Sequence, residues 1–393
     1  MTFIDAYLHH TSGYESPTSF WRWTGYAAIA AVLRDGCWLK DGDSKLYPNV
    51  YVLLVAGSAQ KKGRPVTTAE HLVSLVGNVK VISGRASIQA ILVEVGQTST
   101  DTNGKLIKGG SATFFAPELA AGLVQDEQSI QILTDIYDYK PTGHTTNLIG
   151  RSKSKLERLI FSMCGASNED LLKSIYDSKA IYGGLLGRTF LVKPDEFRKS
   201  VSFPKGDEKG FQDLRIKLSE VAGLSGEFVW TEKAYAAYDS WYCDFREKSK
   251  TKEDRAGIIG RLPTGVKKLA FLKAANRLSN EISLEDCETA IDECVALLPN
   301  YNTFVLSSGK STLAEAGAIV LEELSKGLPV ERKMIIRAHW SHFDVKTFDE
   351  VIVALDSGGL ISVKISGSAV SYMLTEAGRG ILGQRSDSSK TVN

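Results

Sequence analysis

Apolar runs typical of buried strands alternate with helical stretches along the first two hundred residues. The run "YPNVYVLLVAG" is continuously apolar and ends at Gly57. A strand that is covered on both faces, as in a parallel sheet, has this pattern. Polar residues follow it, and the stretch "VTTAEHLVSLV" then has helical spacing. The pattern therefore predicts a strand, a loop and a helix, in this order.

Three later apolar runs predict further strands. They are "SATFFAPEL", "LERLIFSMCGAS", which starts near Leu159, and "GGLLGRTFLVKP" at residues 183–194. A hairpin is predicted before the first of them, because Asn103 and Gly104 form a strong two-residue turn signal. Strands that alternate with helical stretches indicate an α/β fold, with a parallel sheet flanked by helices.

The rest of the chain is predicted to be mainly helical. The stretch "SFWRWTGYAAIAAVL", residues 19–33, favours a helix buried against a larger body, and the alternative of a membrane-surface helix lacks a basic face. Residues 211–300 are predicted to be all-helical, with Thr231 as an N-cap. From Ala314 onwards, two predicted helices precede "GGLISVKISGSAVSYMLTEAG". This order predicts a small helical domain closed by a two-stranded wing.

The composition is that of a folded soluble protein. Of the 393 residues, 43% are hydrophobic and 24% are charged. A chain of this length is too long for one small core, so two or three domains are expected. The net charge of +1 gives no sign of a polyanionic partner, so a nucleic-acid site would have to be a local patch. No apolar run is long enough for a membrane span, and the N-terminus lacks the order of a secretory signal. A cytoplasmic protein without membrane contact is expected.

The cysteines favour neither a disulfide framework nor a zinc site. They are scattered, odd in number and never in a C-x-x-C pair. The five are Cys37, Cys164, Cys243, Cys287 and Cys294. We expect reduced thiols, most of them in the core.

The segment "AGSAQKKGRP" carries the candidate phosphate chemistry. A phosphate-binding loop needs a buried strand, inward-pointing backbone N–H groups, a lysine for the phosphates and a hydroxyl for Mg²⁺. The segment supplies the strand, the loop and Lys62, but Gly63 stands in place of the hydroxyl and Ala56 in place of the first glycine. The predicted nucleotide-binding residues are Gly57, Ser58, Ala59, Gln60, Lys61, Lys62, Gly63 and Arg64. Taken alone, the segment fits an exposed basic turn equally well.

A second candidate loop is "SSGKST" at residues 307–312. It contains the usual Gly-Lys-Ser-Thr tetrapeptide of phosphate loops. Phe304 stands where the first glycine of such a loop is needed, so the remaining loop is too short to wrap phosphates.

Polar residues at the ends of the later strands could supply the groups that ATP hydrolysis requires. Glu118 ends "ATFFAPEL" and would polarise the attacking water, although a solvent-facing glutamate at a strand end fits as well. Asn168 follows the next apolar run and would contact the γ-phosphate or that water. Arg188 begins the last strand, where an arginine is costly unless it meets a charge. An arginine finger given to a neighbouring subunit would be such a use.

With these pieces in this order, the chain resembles AAA+ helicases of the minichromosome-maintenance-like kind, especially the helicase-like proteins of phages and plasmids. The similar segments are "GGSATFFAPELAAGL", "MCGASNED", "GGLLGRTFLV" and "GRLPTGVKKLAFLKAANRLSNEISLEDCETAIDE". The resemblance implies an AAA+ P-loop ATPase core with a helical lid and a C-terminal winged-helix domain. The implied divisions are an N-terminal helical segment packed on the core (1–45), the core (46–205), the lid (206–305), the winged helix (312–383) and a disordered tail (384–393).

The resemblance also implies a mechanism and its partners. Lys62 would hold the phosphates, Glu118 would polarise the water and Asn168 would orient it. Arg188 from the next subunit and Arg261 from the lid would neutralise the charge that develops at the γ-phosphate. The implied cofactors are ATP and Mg²⁺. The implied assembly is a hexameric homo-oligomeric ring on single-stranded or forked DNA, acting in replication of a phage or mobile element.

Two departures from the family pattern leave alternatives open. Gly63 replaces the loop hydroxyl, and Pro117 replaces the aspartate expected just before Glu118, so both usual protein contacts to Mg²⁺ are in question. One alternative is a nucleotide-gated DNA-binding loader or scaffold with weak or no hydrolysis. Another is a replication adaptor that only assembles partners and binds no nucleotide.

Basic hairpins line the central pore of the helicases that this chain resembles. Here the basic segment "YKPTGHTTNLIGRSKSKLERL" lies between the strands that carry Glu118 and Asn168. The predicted DNA-binding residues are Lys140, His144, Arg151, Lys153, Lys155 and Arg158, together with Lys105 and Lys108 of the earlier hairpin. A solvated surface hairpin is the alternative interpretation.

The implied winged helix suits a protein partner better than duplex DNA. Its recognition helix would be "VKTFDEVIVALDSGG", in which three acidic residues outweigh Lys346. We therefore expect contact with replication proteins, or weak DNA binding, at this domain. His339 and His342 are three residues apart, but no cysteine or carboxylate cluster near them favours a metal site.

Overall fold

The structure is a computed structural model that describes most of the chain. The described residues are 1–57, 60–77, 79–84, 87–96, 99–100, 106–107, 110–119, 127–140, 144–146, 154–156, 159–168, 184–196, 198, 200–250, 254, 257–307, 312–366 and 369–382. The expected tail, 384–393, lies outside them. By their contacts, the described residues divide into two compact units, which meet in sequence at Val295 and Ala296.

The described helices and strands are numbered in chain order. The helices are α1 Phe3–His10, α2 Thr18–Leu33, α3 Gly63–Val76, α4 Ile88–Gly96, α5 Glu127–Tyr137, α6 Glu208–Ala222, α7 Glu232–Ser249, α8 Ile258–Asn276, α9 Leu284–Ala296, α10 Leu298–Ser307, α11 Thr312–Leu324, α12 Arg332–His339, α13 Val345–Ser357 and α14 Glu376–Leu382. The strands are β1 Cys37–Asp41, β2 Ser44–Leu46, β3 Tyr51–Val55, β4 Val81–Ser83, β5 Ser99–Thr100, β6 Leu106–Ile107, β7 Ser111–Ala116, β8 His144–Thr146, β9 Ser154–Leu156, β10 Ile160–Ser167, β11 Thr189–Val192, β12 Gly226–Trp230, β13 Glu281–Ile282, β14 Val330–Glu331, β15 Ile361–Ser366 and β16 Ala369–Leu374.

A parallel five-stranded sheet forms the centre of the first unit. Its spatial order is β11-β3-β10-β7-β4, and each pair of neighbours is parallel. Every residue of β3 and β10 is buried. Strands covered on both faces need such continuous apolar runs, which is why the sequence pattern identified them. The predicted α/β class, with a parallel sheet flanked by helices, is confirmed.

Helix α2 packs against the sheet and is almost wholly buried, as its sequence predicted. Its small residues allow α1 to approach closely, because a Cβ atom at Gly25 would lie 2.7 Å from Cδ1 of Ile4 and 3.1 Å from the ring of Tyr7. The apolar residues of α2 thus face protein and form no apolar surface for a membrane. Among the described helices, none has the length and apolarity needed to cross a membrane.

The prediction that residues 211–300 are all-helical is wrong at two strands. β12 and β13 lie in a second sheet of order β13-β12-β1-β2, so the N-terminal segment and this region share one sheet. Only Phe228 of β12 is fully buried. A strand of five residues with one buried position has too short an alternation of apolar and polar residues to be recognised between long helices. Thr231 does cap α7, since its side chain accepts a hydrogen bond from the backbone N–H of Ala234.

The second unit has its own core and its own antiparallel sheet. Strands β15 and β16 form the predicted hairpin, with Ile361 opposite Leu374, and β14 pairs with β16. Helices α11, α13 and the sheet enclose a continuous apolar cluster centred on buried residues such as Val320, Ile335 and Phe348. The predicted recognition helix is α13, and Asp344 caps it by accepting from the N–H of Thr347 at 2.8 Å.

Candidate functional site

Three of the predicted groups leave the central sheet at the same edge. Val55 of β3 pairs with Ser167 of β10, and Ala116 of β7 pairs with Gly165. The carboxyl ends of these three strands are therefore level, and the crevice beyond such ends is where open α/β sheets bind ligands. The candidate phosphate loop, Glu118 and Asn168 all follow these ends. Glu118 is exposed, as a group that meets a ligand must be.

The candidate phosphate loop closes on its own lysine. The ammonium of Lys62 donates to the carbonyl oxygen of Gly57 at 3.0 Å, and the Gly57 N–H donates to Oε1 of Gln60 at 3.1 Å. Ser58 and Ala59 lie outside the described residues. Helix α3 begins at Gly63, so its unpaired N–H groups and positive dipole end lie beside the lysine. A lysine folded over a helix N-terminus is a favourable setting for phosphate.

The N-terminal segment braces this loop. Lys61 adopts the left-handed conformation (φ 52°), and its carbonyl oxygen accepts a hydrogen bond from Oγ of Ser16 at 2.8 Å. The guanidinium of Arg64 lies over the ring of Tyr14, 4.2 Å from its centroid. Residues before the sheet therefore hold both ends of the loop, which the sequence did not predict.

The residues at this edge do not fit a Mg²⁺ ion held by the protein. Gly63 and Pro117 lack the hydroxyl and carboxylate that usually contact the ion. The next hydroxyl along α3, Thr67 Oγ1, donates to the carbonyl oxygens of Gly63 and Arg64 within the helix. Mg²⁺ in nucleotide sites is usually bound by one or two carboxylates together with the phosphates, so these two replacements remove protein contacts that the ion normally has. The described part of the chain contains no cluster of three or more His, Cys, Asp or Glu residues that could hold a metal.

The two predicted arginines meet at the opposite edge of the sheet. Arg188 lies in a 3-10 turn just before β11, rather than within the strand. Its Nη2 donates to Oδ2 of Asp138 at 2.8 Å, and Nη1 of Arg261, from α8, lies 3.3 Å from both carboxylate oxygens. Thr189 pairs with Tyr51 at the start of β3, so this cluster is at the amino ends of the strands.

The two groups of predicted residues are therefore not brought together within one subunit. Strand residues rise about 3.3 Å each, so Tyr51 and Val55 are roughly 13 Å apart, and the loop lies beyond Val55. While they are held by Asp138, both arginines lie at the other end of the strands from Lys62.

A buried lysine lies behind the arginine cluster. Lys268 Nζ donates to the backbone oxygen of Asn49 at 2.7 Å and to its Oδ1 at 2.8 Å, and it lies 4.0 Å from the centroid of the Tyr137 ring. Burial lowers the pKa of Lys268 to about 7, with Asp138 opposing the shift and the two arginines reinforcing it.

The carboxylate of Asp138 stays ionised in this setting. Burial alone would raise its pKa, but the hydrogen bond from Arg188 and the charges of Arg188, Arg261 and Lys268 outweigh burial and lower the pKa. Sequence reasoning did not find Asp138 or Lys268. The sequence did contain an indication of a partner for Asp138, which directly follows the C-terminus of α5. A negative charge at that end of a helix is unfavourable unless cations lie close to it.

In both predicted basic hairpins the two described strands pair in antiparallel fashion. β8 pairs with β9 in the order His144 opposite Leu156, and β5 pairs with β6. For His144 and Lys155 only the backbone is described, and the remaining predicted residues, Lys105, Lys108, Arg151, Lys153 and Arg158, lie outside the described part. Lys140 precedes the hairpin and forms an ion pair with Asp135.

Other candidates have structural partners. His339 Nε2 lies 3.2 Å from Oε2 of Glu323, which accounts for its position on the helix surface. Four of the five cysteines are buried and all are free thiols, as their spacing predicted; Cys243 is exposed. Of the second candidate loop, Ser307 ends α10 and Thr312 begins α11, and residues 308–311 lie outside the described part.

Neither the protein-family models nor the curated proteins compared with this chain gave a match. The case for a nucleotide site therefore rests on the residues and on their geometry.

Proposed function

We propose that the protein is an ATP-dependent, ring-forming DNA helicase or translocase of the AAA+ class, acting in replication of a phage or mobile element. One observation carries the proposal. The candidate phosphate loop and the arginine pair lie at opposite edges of one parallel sheet. Such a division suits a site that is completed between neighbouring subunits, as in a ring.

Each residue has a defined task in this proposal. Lys62 and the N-terminus of α3 bind the β- and γ-phosphates, Glu118 polarises the attacking water and Asn168 orients it. Arginine from the neighbouring subunit neutralises the charge that develops in the transition state. Mg²⁺ bound with the nucleotide would neutralise charge on the same phosphates.

The hairpins and the second unit supply the DNA and partner contacts of the proposal. Hairpins β5–β6 and β8–β9 carry lysines and arginines that would grip the phosphates of single-stranded or forked DNA in the pore. The helices and antiparallel hairpin of the second unit are compatible with the proposed winged helix. Its α13 carries Asp349, Glu350 and Asp356 against Lys346, so this acidic helix suits replication proteins better than a DNA groove.

A nucleotide-gated DNA-binding loader or scaffold is the second candidate. Gly63 and Pro117, which lie side by side, favour it because they remove the two usual protein contacts to Mg²⁺. In that case the protein binds ATP and changes its assembly or DNA affinity without appreciable turnover.

ATP binding and hydrolysis by Lys62→Ala, with and without single-stranded DNA, test the proposal. Lys205→Ala is the control, because Lys205 is an exposed lysine outside the candidate loop. DNA-stimulated turnover that is lost in Lys62→Ala and retained in Lys205→Ala supports a motor. ATP binding without turnover supports the gated loader, and unchanged turnover in Lys62→Ala overturns the site.

A further inference from the structure

Arg188 and Arg261 differ in how much of each side chain is available. Arg188 is only 11% exposed and Arg261 is 36% exposed. Arg188 uses Nη2 for Asp138 and Nη1 for the carbonyl oxygen of Gly184 at 3.1 Å. Arg261 engages Asp138 through Nη1 alone, and the described residues provide no partner for its Nη2 and Nε. A bidentate contact with phosphate requires free, accessible donors. Arg261 has them, and Arg188 does not.

The surroundings of Arg188 hold its guanidinium in place. Gly184 has a positive φ of 75°, and a Cβ atom there would lie 3.1 Å from Nη1 of Arg188. The turn is therefore shaped so that its carbonyl oxygen meets the guanidinium closely. Turning Arg188 outward would break this bond and leave Asp138 without its shorter ion pair. Arg188 is thus built to hold Asp138 rather than to reach across an interface.

Asp138 joins the two arginines into one unit. Its Oδ2 accepts from Arg188, and both of its oxygens lie 3.3 Å from Nη1 of Arg261. Arg188 holds the carboxylate in place, and the carboxylate in turn orients Arg261 through Nη1. The Nη2 and Nε groups of Arg261 stay available for another partner. Lys268, when it is protonated, adds positive charge to the same cluster.

We propose that Arg261 is the arginine that contacts the γ-phosphate of a neighbouring subunit's nucleotide, and that Asp138 and Arg188 are positioning residues that act through Arg261. This inference rests on the proposed function. In this assignment the arginine finger is Arg261 and not Arg188. Loss of Arg261 should then remove the phosphate contact, whereas loss of Arg188 or Asp138 should only misplace it.

The test measures ATP-dependent assembly by analytical ultracentrifugation, together with kcat and KM for ATP. Arg261→Ala should abolish ATP-dependent assembly and lower kcat by about 10³-fold, with ATP affinity at the loop of the isolated subunit unchanged. Arg188→Lys and Asp138→Asn should lower kcat less. Combined with Arg261→Ala, either should cause no further loss, because both act through Arg261. Thermal unfolding of each variant separates this result from loss of the fold.

The outcomes distinguish the possibilities. Non-additive losses with Arg261→Ala dominant support the inference. Multiplicative losses, or an Arg188 variant that is slower than Arg261→Ala, overturn it. An unaltered protein that binds ATP and remains a monomer also overturns it, since no neighbour is then contacted. Failure to bind ATP overturns the proposed function itself. A mixture of Lys62→Ala and Arg261→Ala subunits should regain turnover, because mixed neighbours contribute one intact loop and one intact arginine.

Discussion

Gly63 and Pro117 are neighbours in space, since a Cβ atom added at Gly63 would lie 3.6 Å from the carbonyl oxygen of Pro117 and 3.7 Å from its Cβ. These are the two positions at which the chain departs from the usual phosphate-loop pattern. The first turn of α3 therefore contacts the end of β7, as a shared metal site would require. The distances are those of ordinary van der Waals contact, so there is room for a side chain at Gly63.

We predict that Gly63→Ser together with Pro117→Asp raises Mg²⁺-dependent ATP hydrolysis by tenfold or more, about 1.4 kcal/mol of transition-state stabilisation. The changes supply the hydroxyl and the carboxylate that hold the ion in related loops. Turnover at varied Mg²⁺ concentrations measures the effect. Gly63→Ala is the matched control, because it adds the same Cβ without the hydroxyl and should leave turnover unchanged. A serine–aspartate variant with parental Mg²⁺ dependence would contradict a nucleotide site at this edge.

The sheet could be predicted because its central strands are buried on both faces. β3 and β10 carry uninterrupted apolar runs, which few other structures require. The spatial order of the strands was not predictable, because local patterns do not state which strands pair. β12 was missed for a related reason: with alternate residues exposed and only five positions, it gave no signal distinct from the helices around it.

A second prediction concerns Lys268 and pH. The folded protein releases the Lys268 proton near pH 7, whereas the ordinary pKa of lysine, which holds in the unfolded chain, is 10.5. Above pH 7 the unfolded chain therefore binds more protons, so this group makes the free energy of unfolding rise with pH, by at most about 1.4 kcal/mol per unit. The clean window is about pH 7 to 8.5, because above it buried thiols such as Cys164, whose pKa burial raises, oppose the trend.

Urea unfolding across this window checks the prediction. Lys268→Met should remove the contribution of this residue to the slope, although the oxygens of Asn49 lose their donor and stability falls overall. Lys267→Met, at the adjacent and partly exposed position, should keep the slope. Identical slopes for the parent and Lys268→Met would show that Lys268 keeps its proton in the folded protein across this window and that its pKa is not lowered.

The candidate site was only partly predictable from the chain. Lys62, Glu118 and Asn168 follow strands, so their order along the sequence placed them at one edge. Asp138 connects residues that are 50 and 123 positions away in sequence, and no local pattern reports such contacts. The roles of the two arginines likewise depend on burial, which is a property of the folded unit.

The third prediction tests the basic hairpin. Replacing Arg151, Lys153 and Lys155 together by alanine should weaken binding of single-stranded DNA and reduce the salt dependence of log K by about 2, since each phosphate contact contributes about 0.7. Fluorescence anisotropy at several salt concentrations gives both quantities. Lys233→Ala with Lys248→Ala removes charge from the exposed surface of α7 and should change neither. An unchanged salt slope in the triple variant would mean that these side chains face solvent and do not contact DNA phosphates.

The last prediction compares two glycines of the same short helix, α14. A Cβ atom at Gly378 would overlap the carbonyl oxygen of Leu360 and lie 3.0 Å from Cδ2 of Leu374, whereas one at Gly380 would meet nothing within 4 Å. Gly378→Ala should therefore destabilise the second unit by about 1–3 kcal/mol, because α14 must move away from the sheet. Gly380→Ala should be neutral or stabilising by up to about 1 kcal/mol, since alanine favours helix. Hydrogen exchange over residues 312–382 measures both, and equal protection in the two variants would mean that α14 does not pack on Leu360.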